Sequence, residues 1–491
     1  MTDAAGEARP DPSPAPAEPP RGRLTGLGRW LGERLPLWRW TKVFFRTSFL
    51  PEQNYLIILA VVVGILTGYG SVGFIFVLEW LSEFARGPVA ESLEVFGPAN
   101  LVLLPALGGL LAGPLIHRFA KEARGHGVPE VMTALATRGG KIRKRVATVK
   151  VVTSSLTIGF GGTAGREGPM VQIGSAIGSA VGQWTKLTPH RVRTLVTCGA
   201  AGGIAATFNA PIAGAIFSME VLIGRVQTDF LLVLLTSLSS CMVARSYLGN
   251  YPAFTAPAYD LVSGRELPLY FVMGLVLGWG ALLYMKALYK AEDLFGAWRF
   301  PDYLKPAVGG LMAGLVLRYF PDVYGAGFPA VESALWVRFP WELLIGLFIA
   351  EFAANCFTLG SGGSGGVFAP CLYMGAMLGG AFGSLVHVVF PEWTAGSGAY
   401  AMVGMAAFFA AAAKAPATSI LILFEMTNDY RIMLPLMAAT VGSVYLSHRL
   451  SPFSIYTLKL HRRGISYPGR EEAERAAKRM GLTPTSQPTT S

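Results

Sequence analysis

The chain has 491 residues, 52% of them hydrophobic and only 14% charged, with a mean hydropathy of +0.45. A water-soluble surface of that length needs many more Asp, Glu, Lys and Arg, so the composition excludes a soluble globular protein. The formal net charge of +11 sits mostly in flanks and loops, with no basic groove interleaved with aromatics, which assigns it to membrane topology and lipid headgroups and excludes nucleic acid as a partner.

Residues 1–50 open Pro- and Ala-rich, then carry Arg23, Arg29, Arg34, Arg39, Lys42 and Arg46, with no secretory signal. They read as a disordered start followed by an amphipathic stretch on the cytoplasmic leaflet. Uncharged runs follow at Tyr55–Leu78, around Leu101 and Leu231, over Tyr270–Met285 and around Met433. Several are long enough to cross a hydrocarbon core of about 30 Å. The far end is basic again at Lys459, Arg462, Arg463 and Arg470, so the positive-inside rule places both ends in the cytoplasm of a multi-pass protein of the cell membrane. Cys198, Cys241, Cys356 and Cys371 lie in apolar segments without metal-ligand spacing and read as free, buried thiols; no metal or cofactor is expected.

Between these runs the chain repeats itself. Gly125-His126-Gly127-Val128-Pro129-Glu130-Val131-Met132-Thr133-Ala134-Leu135 returns as Gly325-Ala326-Gly327-Phe328-Pro329-Ala330-Val331-Glu332-Ser333-Ala334-Leu335, identical at six of eleven positions. Pro105–Leu110 returns as Pro306–Leu311. The Gly and Pro of Gly165-Arg166-Glu167-Gly168-Pro169 return in Gly366-Val367-Phe368-Ala369-Pro370, and Gly174 and Gly178 in Gly375 and Gly379. Asn209-Ala210-Pro211 returns as Lys414-Ala415-Pro416, and nine residues after each Pro stands a carboxylate, Glu220 or Glu425. The loop after the first block carries Arg138, Lys141, Arg143, Lys144 and Arg145, whereas the second has Arg338 balanced by Glu342. Loops of such unequal basicity belong on opposite sides of the membrane, which makes residues 51–250 and 251–460 an inverted repeat, followed by a short basic tail over 461–491. A parallel repeat is the alternative.

The Gly and Pro interruptions place helix starts inside the bilayer, where irregular backbone is tolerated only if it is buried in protein or lines a cavity. Pro169 and Pro370 suit first turns, and the preceding glycines let backbone N–H groups approach a ligand. Converging helix N-termini, each with free donors and roughly half a positive charge, form an anion site from which the ion can also leave. Close helix packing accounts for Gly174, Gly178, Gly375 and Gly379 but not for Glu167. An intramembrane carboxylate is costly, and on a helix start it would occupy the anion site itself. Glu167 is therefore expected to be a gate that competes with the anion when ionised and swings aside when protonated. The alternative, an ion pair with Arg166, is disfavoured because adjacent helical residues point different ways.

At these residues the sequence resembles the CLC family of chloride channels and chloride/proton exchangers, over about 50–465. The resemblance rests on Gly-Arg-Glu-Gly-Pro at 165–169, Gly-x-Phe-x-Pro at 366–370, Asn-Ala-Pro at 209–211 and the terminal Ser454-Ile455-Tyr456. It implies an all-α, inverted-repeat fold of tilted and broken helices, assembled as a homodimer with an anion path in each subunit. It also implies that the N–H groups of Val367 and Phe368 bind a central ion, that those of Arg166, Glu167 and Gly168 serve an outer site, and that Tyr456 closes the inner end. As an alternative, Tyr456 is an interfacial anchor. Lys150 matches a buried lysine that adds positive potential, though a snorkelling lysine reads the same in sequence.

Two positions depart from the family pattern. His126 stands where chloride-selective members usually have Ser, so an imidazole replaces the inner hydroxyl, unless it turns away from the path. Val221 stands at the inner proton-transfer carboxylate of many exchangers, one residue past Glu220, which reads as structural like Glu425. Val221 places a channel for chloride-like anions slightly ahead of a proton-coupled exchanger. The stretch after Tyr456 is too short for the paired nucleotide-binding domains of some relatives, and no regulatory ATP site is expected. A membrane-embedded enzyme would need clustered nucleophiles or ligands; the six histidines are scattered and no such motif is present.

Overall fold

The computed structural model describes residues 52–224, 229–465 and 467. The chain divides into two units, Met1–Tyr55 and Leu56–Ser491, and the membrane-embedded architecture belongs to the second. The amphipathic reading of residues 1–50, Arg470 and most of the basic tail lie outside the described residues.

Among the described residues, sixteen helices fall into two series of eight. The first comprises α1 (Glu52–Phe84), α2 (Asn100–Phe119), α3 (Val128–Thr137), α4 (Arg145–Gly159), α5 (Glu167–Trp184), α6 (Pro189–Phe208), α7 (Pro211–Phe217) and α8 (Phe230–Leu248). The second repeats the order as α9 (Leu267–Ala297), α10 (Lys305–Tyr319), α11 (Phe328–Leu335), α12 (Trp341–Gly360), α13 (Phe368–Val389), α14 (Ser397–Ala413), α15 (Pro416–Thr427) and α16 (Met433–Leu450). A short α17 (Thr457–Arg462) closes the chain. Among the described residues, six helical segments are long and apolar enough to cross a membrane. Among the described residues no strand forms; two isolated bridges, Gly125 with Ser364 and Gly165 with Gly366, join the halves.

Local chemistry accounts for the interruptions. Gly125 and Gly127 take φ of 70° and 59°, and Gly325 and Gly327 take 67° and 69°, so each repeat reverses on two left-handed glycines before starting α3 or α11. Asn209 and Lys414 each adopt the left-handed conformation, with φ of 56° and 55°, ending α6 and α14 just before Pro211 and Pro416 start the next helix.

The halves meet through reciprocal contacts, as two copies related by a pseudo-two-fold axis must. A Cβ on Gly109 would overlap the carbonyl of Pro306, and a Cβ on Gly310 would overlap that of Pro105, so α2 and α10 touch backbone to backbone. Inside each half the same economy recurs. Gly64 and Gly68 of α1 lie on α8 as Gly274 and Gly278 of α9 lie on α16, and Gly174 and Gly178 of α5 press on α6 as Gly375 and Gly379 of α13 press on α14. In lipid the helices gain little from hydrophobic burial against one another, so this close approach supplies the association energy. The fold is the inverted repeat that the loop charges indicated.

One substitution isolates that contact. Gly310→Val drives a branched side chain into the Pro105 carbonyl and is expected to cost about 3 kcal/mol, at the upper end of overpacking effects, read as a lower melting temperature by fluorescence-detected gel filtration. Gly396→Ala, with no atom within 4 Å of its Cβ position, should melt like the parent.

Candidate functional site

Three helix starts converge at the centre. Gly165 N–H donates to the Gly366 carbonyl at 2.9 Å and Gly366 N–H returns a bond to Gly165 at 2.7 Å, which fastens the turn before α5 to the turn before α13. A Cβ on Gly168 would press on the Gly366 Cα at 2.9 Å and on the His126 carbonyl oxygen at 3.0 Å, so the start of α3 joins them. No side chain of their own caps α5 or α13. Their first N–H groups are therefore available to an acceptor from elsewhere.

That acceptor is Glu167. Its side chain is 2% exposed, and Oε1 takes a hydrogen bond from the Phe368 backbone N–H at 2.7 Å. A Cβ on Gly165 or Gly366 would overlap the carboxylate, so the two glycines form its cradle. Oε2 is buried without a partner. Arg166 does not pair with it: the guanidinium lies 4.9 Å from the Phe328 ring centroid and 6.0 Å from that of Phe208, as cation–π contacts. Phe208 in turn sits 5.0 Å from Phe368, and Phe409 meets Phe368 edge-on at 4.5 Å. Val367, which precedes α13, is buried.

One further layer holds His126, Tyr456 and Lys150. Both rings are buried, their centroids 6.1 Å apart, so Tyr456 is not an interfacial anchor. His126 also faces Tyr289 at 6.3 Å, with Nε2 3.4 Å from the Tyr289 oxygen and Nδ1 buried without a partner. The Tyr289 hydroxyl donates to the Ile455 carbonyl at 2.5 Å, which fixes the residue before Tyr456. Lys150 is fully buried rather than snorkelling, and its Nζ donates to the carbonyls of Ala123 and Gly125 at 2.9 and 2.8 Å. Its charge thus stands directly behind the loop that carries His126.

The structure also places residues that sequence reasoning passed over. Ser364 stitches the halves together, its hydroxyl donating to the Ala123 carbonyl at 2.8 Å and meeting Ser154 Oγ at 2.9 Å. Its signal was positional, one residue inside the Gly-rich turn before α13. Glu292 accepts from Lys459 at 2.9 Å, Asp293 pairs with Arg462, and Glu130 pairs with Arg463 at 2.6 Å. Sequence reading assigns these three cations to topology and lipid headgroups; they also clamp α17, and with it Tyr456, onto α9 and α3. Glu351, a carboxylate within the apolar run of α12, is 2% exposed.

Val221 is a buried apolar side chain in the π-turn Ser218–Ile223 that follows α7. Its neighbour Glu220 accepts from Ala417 N–H at 3.2 Å and from Thr418 N–H and Oγ1 at 2.7 and 2.6 Å, capping α15. Glu425 does the same for α7, accepting from Ile212 at 3.1 Å and Ala213 at 2.6 Å.

With the geometry in place, comparison decides the family. The profile described as "Voltage gated chloride channel" matches residues 108–448. The chain belongs to that family. Membership makes it an anion-transporting membrane protein. Among relatives, it is 35% identical over 388 residues to a putative chloride channel protein, ClcB-like, of Ralstonia nicotianae, covering 78% of this chain and 90% of the relative. It is 34% identical over 421 residues to the H(+)/Cl(-) exchange transporter ClcA of Vibrio parahaemolyticus, covering 83% and 89%. Its fold matches the crystal structure of a slow cyanobacterial Cl-/H+ antiporter with a TM-score of 0.77 at 29% identity, covering 85% of this chain and 99% of that one.

The cap geometry gives Glu220 a structural role at the start of α15. Glu220→Gln keeps the shape but weakens charge-assisted bonds to α15, with an expected loss of about 1–2 kcal/mol in thermal unfolding and unchanged anion flux from proteoliposomes. Reduced flux at an unchanged melting temperature would put Glu220 on the path.

Proposed function

We propose that the protein exchanges chloride-like anions for protons across the cell membrane, through a path in each subunit gated by Glu167. The observation that carries this reading is the Glu167 carboxylate on the Phe368 N–H, where a permeant anion would sit. A carboxylate and a halide compete for one set of donors, so the anion enters when the carboxylate takes a proton and swings out, and anion and proton then move in exchange. Val367 and Phe368 serve the central ion, Arg166, Glu167 and Gly168 the outer one, and Tyr456 and His126 the inner end, with Lys150 supplying positive potential behind them. The anion is the only ligand required; the reading includes no cofactor, metal or covalent chemistry.

The departure at Val221 favours a second reading, a channel, and on sequence alone that reading stood first. The exchange transporters and the antiporter among the relatives support the exchanger better. Val221 argues only that the inner proton step uses a route other than a carboxylate at that position. A homodimer fits the apolar outer faces of α7, α8 and α16, where Ile212, Leu231, Met242, Leu434 and Val441 are all exposed. The remaining apolar exterior meets lipid, and both termini are assigned to the cytoplasm by the basic flanks.

Proteoliposomes read with chloride and proton electrodes together test the exchange. Uphill proton movement driven by a chloride gradient is expected, and Glu167→Gln should abolish it while chloride still moves. Chloride flux with no proton movement in the parent protein would leave the channel. His126→Ser should change the ranking of chloride against nitrate; an identical ranking would take the imidazole off the path.

A further inference from the structure

The halves carry ionisable side chains of opposite sign at one repeat position. Gly165 corresponds to Gly366 and Thr157 to Thr358, and at the same offset Lys150 of α4 corresponds to Glu351 of α12. Both are buried, at 0% and 2% exposure. Lys150 is satisfied by two carbonyls, whereas Glu351 Oε2 is buried with no hydrogen-bond partner. An intramembrane carboxylate without a compensating donor is unstable in its ionised form and calls for a functional explanation.

Its surroundings tie it to the central site. One turn on, Asn355 accepts from the Tyr284 hydroxyl at 2.6 Å and donates to the Thr163 carbonyl at 2.7 Å, in the turn that leads to Gly165 and Glu167. Cys371, whose N–H bonds the Val367 carbonyl in the first turn of α13, lies within electrostatic reach of both Glu351 and Glu167. Tyr284 and Tyr373 are within reach of Glu351 as well. Thr163 Oγ1 and Glu167 Oε2 are, like Glu351 Oε2, buried and unpartnered.

We propose that Glu351 is a second proton-binding site, linked to the anion at the start of α13: protonated, it leaves the central site open to an anion, and ionised, it repels the anion. Lys150 adds positive potential behind the path, while its mate Glu351 favours the anion only with a proton bound, so anion binding and proton uptake at Glu351 strengthen each other by the same factor. The groups within electrostatic reach of Glu351 are Tyr284 on α9, Cys356 on α12 itself, and Cys371 and Tyr373 on α13. On α10 the charged side chains are Lys305, paired with Asp302, and Arg318, in the first and last turns, and in the turn after it stands Asp322, whose carbonyl meets the Tyr373 hydroxyl at 3.5 Å. Towards the path stand Glu167, and beyond it His126 and Lys150.

The inference rests on the anion reading of Phe368 but not on proton transport, so equilibrium binding tests it. Chloride affinity of the purified full-length protein in detergent is measured by titration calorimetry from mildly acidic to mildly alkaline pH, in a Glu167→Gln background that removes the titration of the gate. Affinity should strengthen at least about fivefold on acidification. With Glu351→Gln added, it should be the same at every pH. Pairing Glu167→Gln with Glu351→Asp provides a second route if the glutamine variant misfolds, and should keep the pH dependence with a displaced midpoint. A flat profile in the Glu167→Gln background, or a midpoint unmoved by Glu351→Asp, overturns the proposal. A slope retained beside Glu351→Gln places the proton on another buried group near the path and overturns it equally. No chloride binding in any variant overturns the anion reading itself, a result distinct from pH-independent binding.

Discussion

One hydrogen bond organises this protein: the Glu167 carboxylate on the Phe368 N–H at the start of α13. It requires two helix starts from opposite halves to face each other within the membrane, which in turn requires the helices to be broken there. It requires glycine at 165 and 366, because any Cβ would take the carboxylate's place, and at 168, where one would crowd the Gly366 backbone and the carbonyl of His126. It also requires the turns to be fixed independently of the ligand, and the paired Gly165–Gly366 bonds and the Ser364 hydroxyl do this. The field that results is made of partial charges, about half a unit per helix, so it can hold an anion and still release it.

Four helix starts face a carboxylate or stand beside one, and the hydrogen bonds each carboxylate takes differ in number. Glu220 takes three hydrogen bonds from α15, and Glu425 takes two from α7. Those starts are permanently filled, and each charge-assisted bond adds to the cost of leaving. Glu167 is held by one bond, with its second oxygen unpartnered and its would-be counter-ion Arg166 stacked on aromatic rings. Among these carboxylates, Glu167 is the one with an unpartnered oxygen, and it is the one that the proposed function makes a gate.

Much of this was legible in sequence because it is written in residues with narrow uses. Left-handed glycines, prolines in first turns and a carboxylate in an apolar run each have few explanations, and their recurrence at an offset of about 200 revealed the repeat. Loop charge then gave its inversion. What was not legible depends on partners far apart in the chain. Lys459, Arg462 and Arg463 look like any basic membrane flank until folding brings Glu292, Asp293 and Glu130 to them. The preference for a channel came from Val221 alone, yet proton movement is a property of a connected route, and one apolar side chain closes only the route that passes through it. Glu351 carried the same signal as Glu167, a carboxylate in an apolar run, but no motif around it drew attention.

The backbone repeats and the side chains at its centre do not, and the proposed transport rests on the difference. By the offset that pairs Gly165 with Gly366, Glu167 corresponds to Phe368, so the carboxylate of one half bonds the backbone of its own counterpart. Phe368 has no acceptor with which to return the bond. A strictly symmetric molecule would carry two equivalent sites, both open or both filled, and an ion would see no order in them. With a carboxylate on one side only, the start of α13 is contested while the start of α5 is not. Two sites of the same backbone chemistry thereby differ in their neighbours, and in the proposed function protonation of Glu167 frees the start of α13.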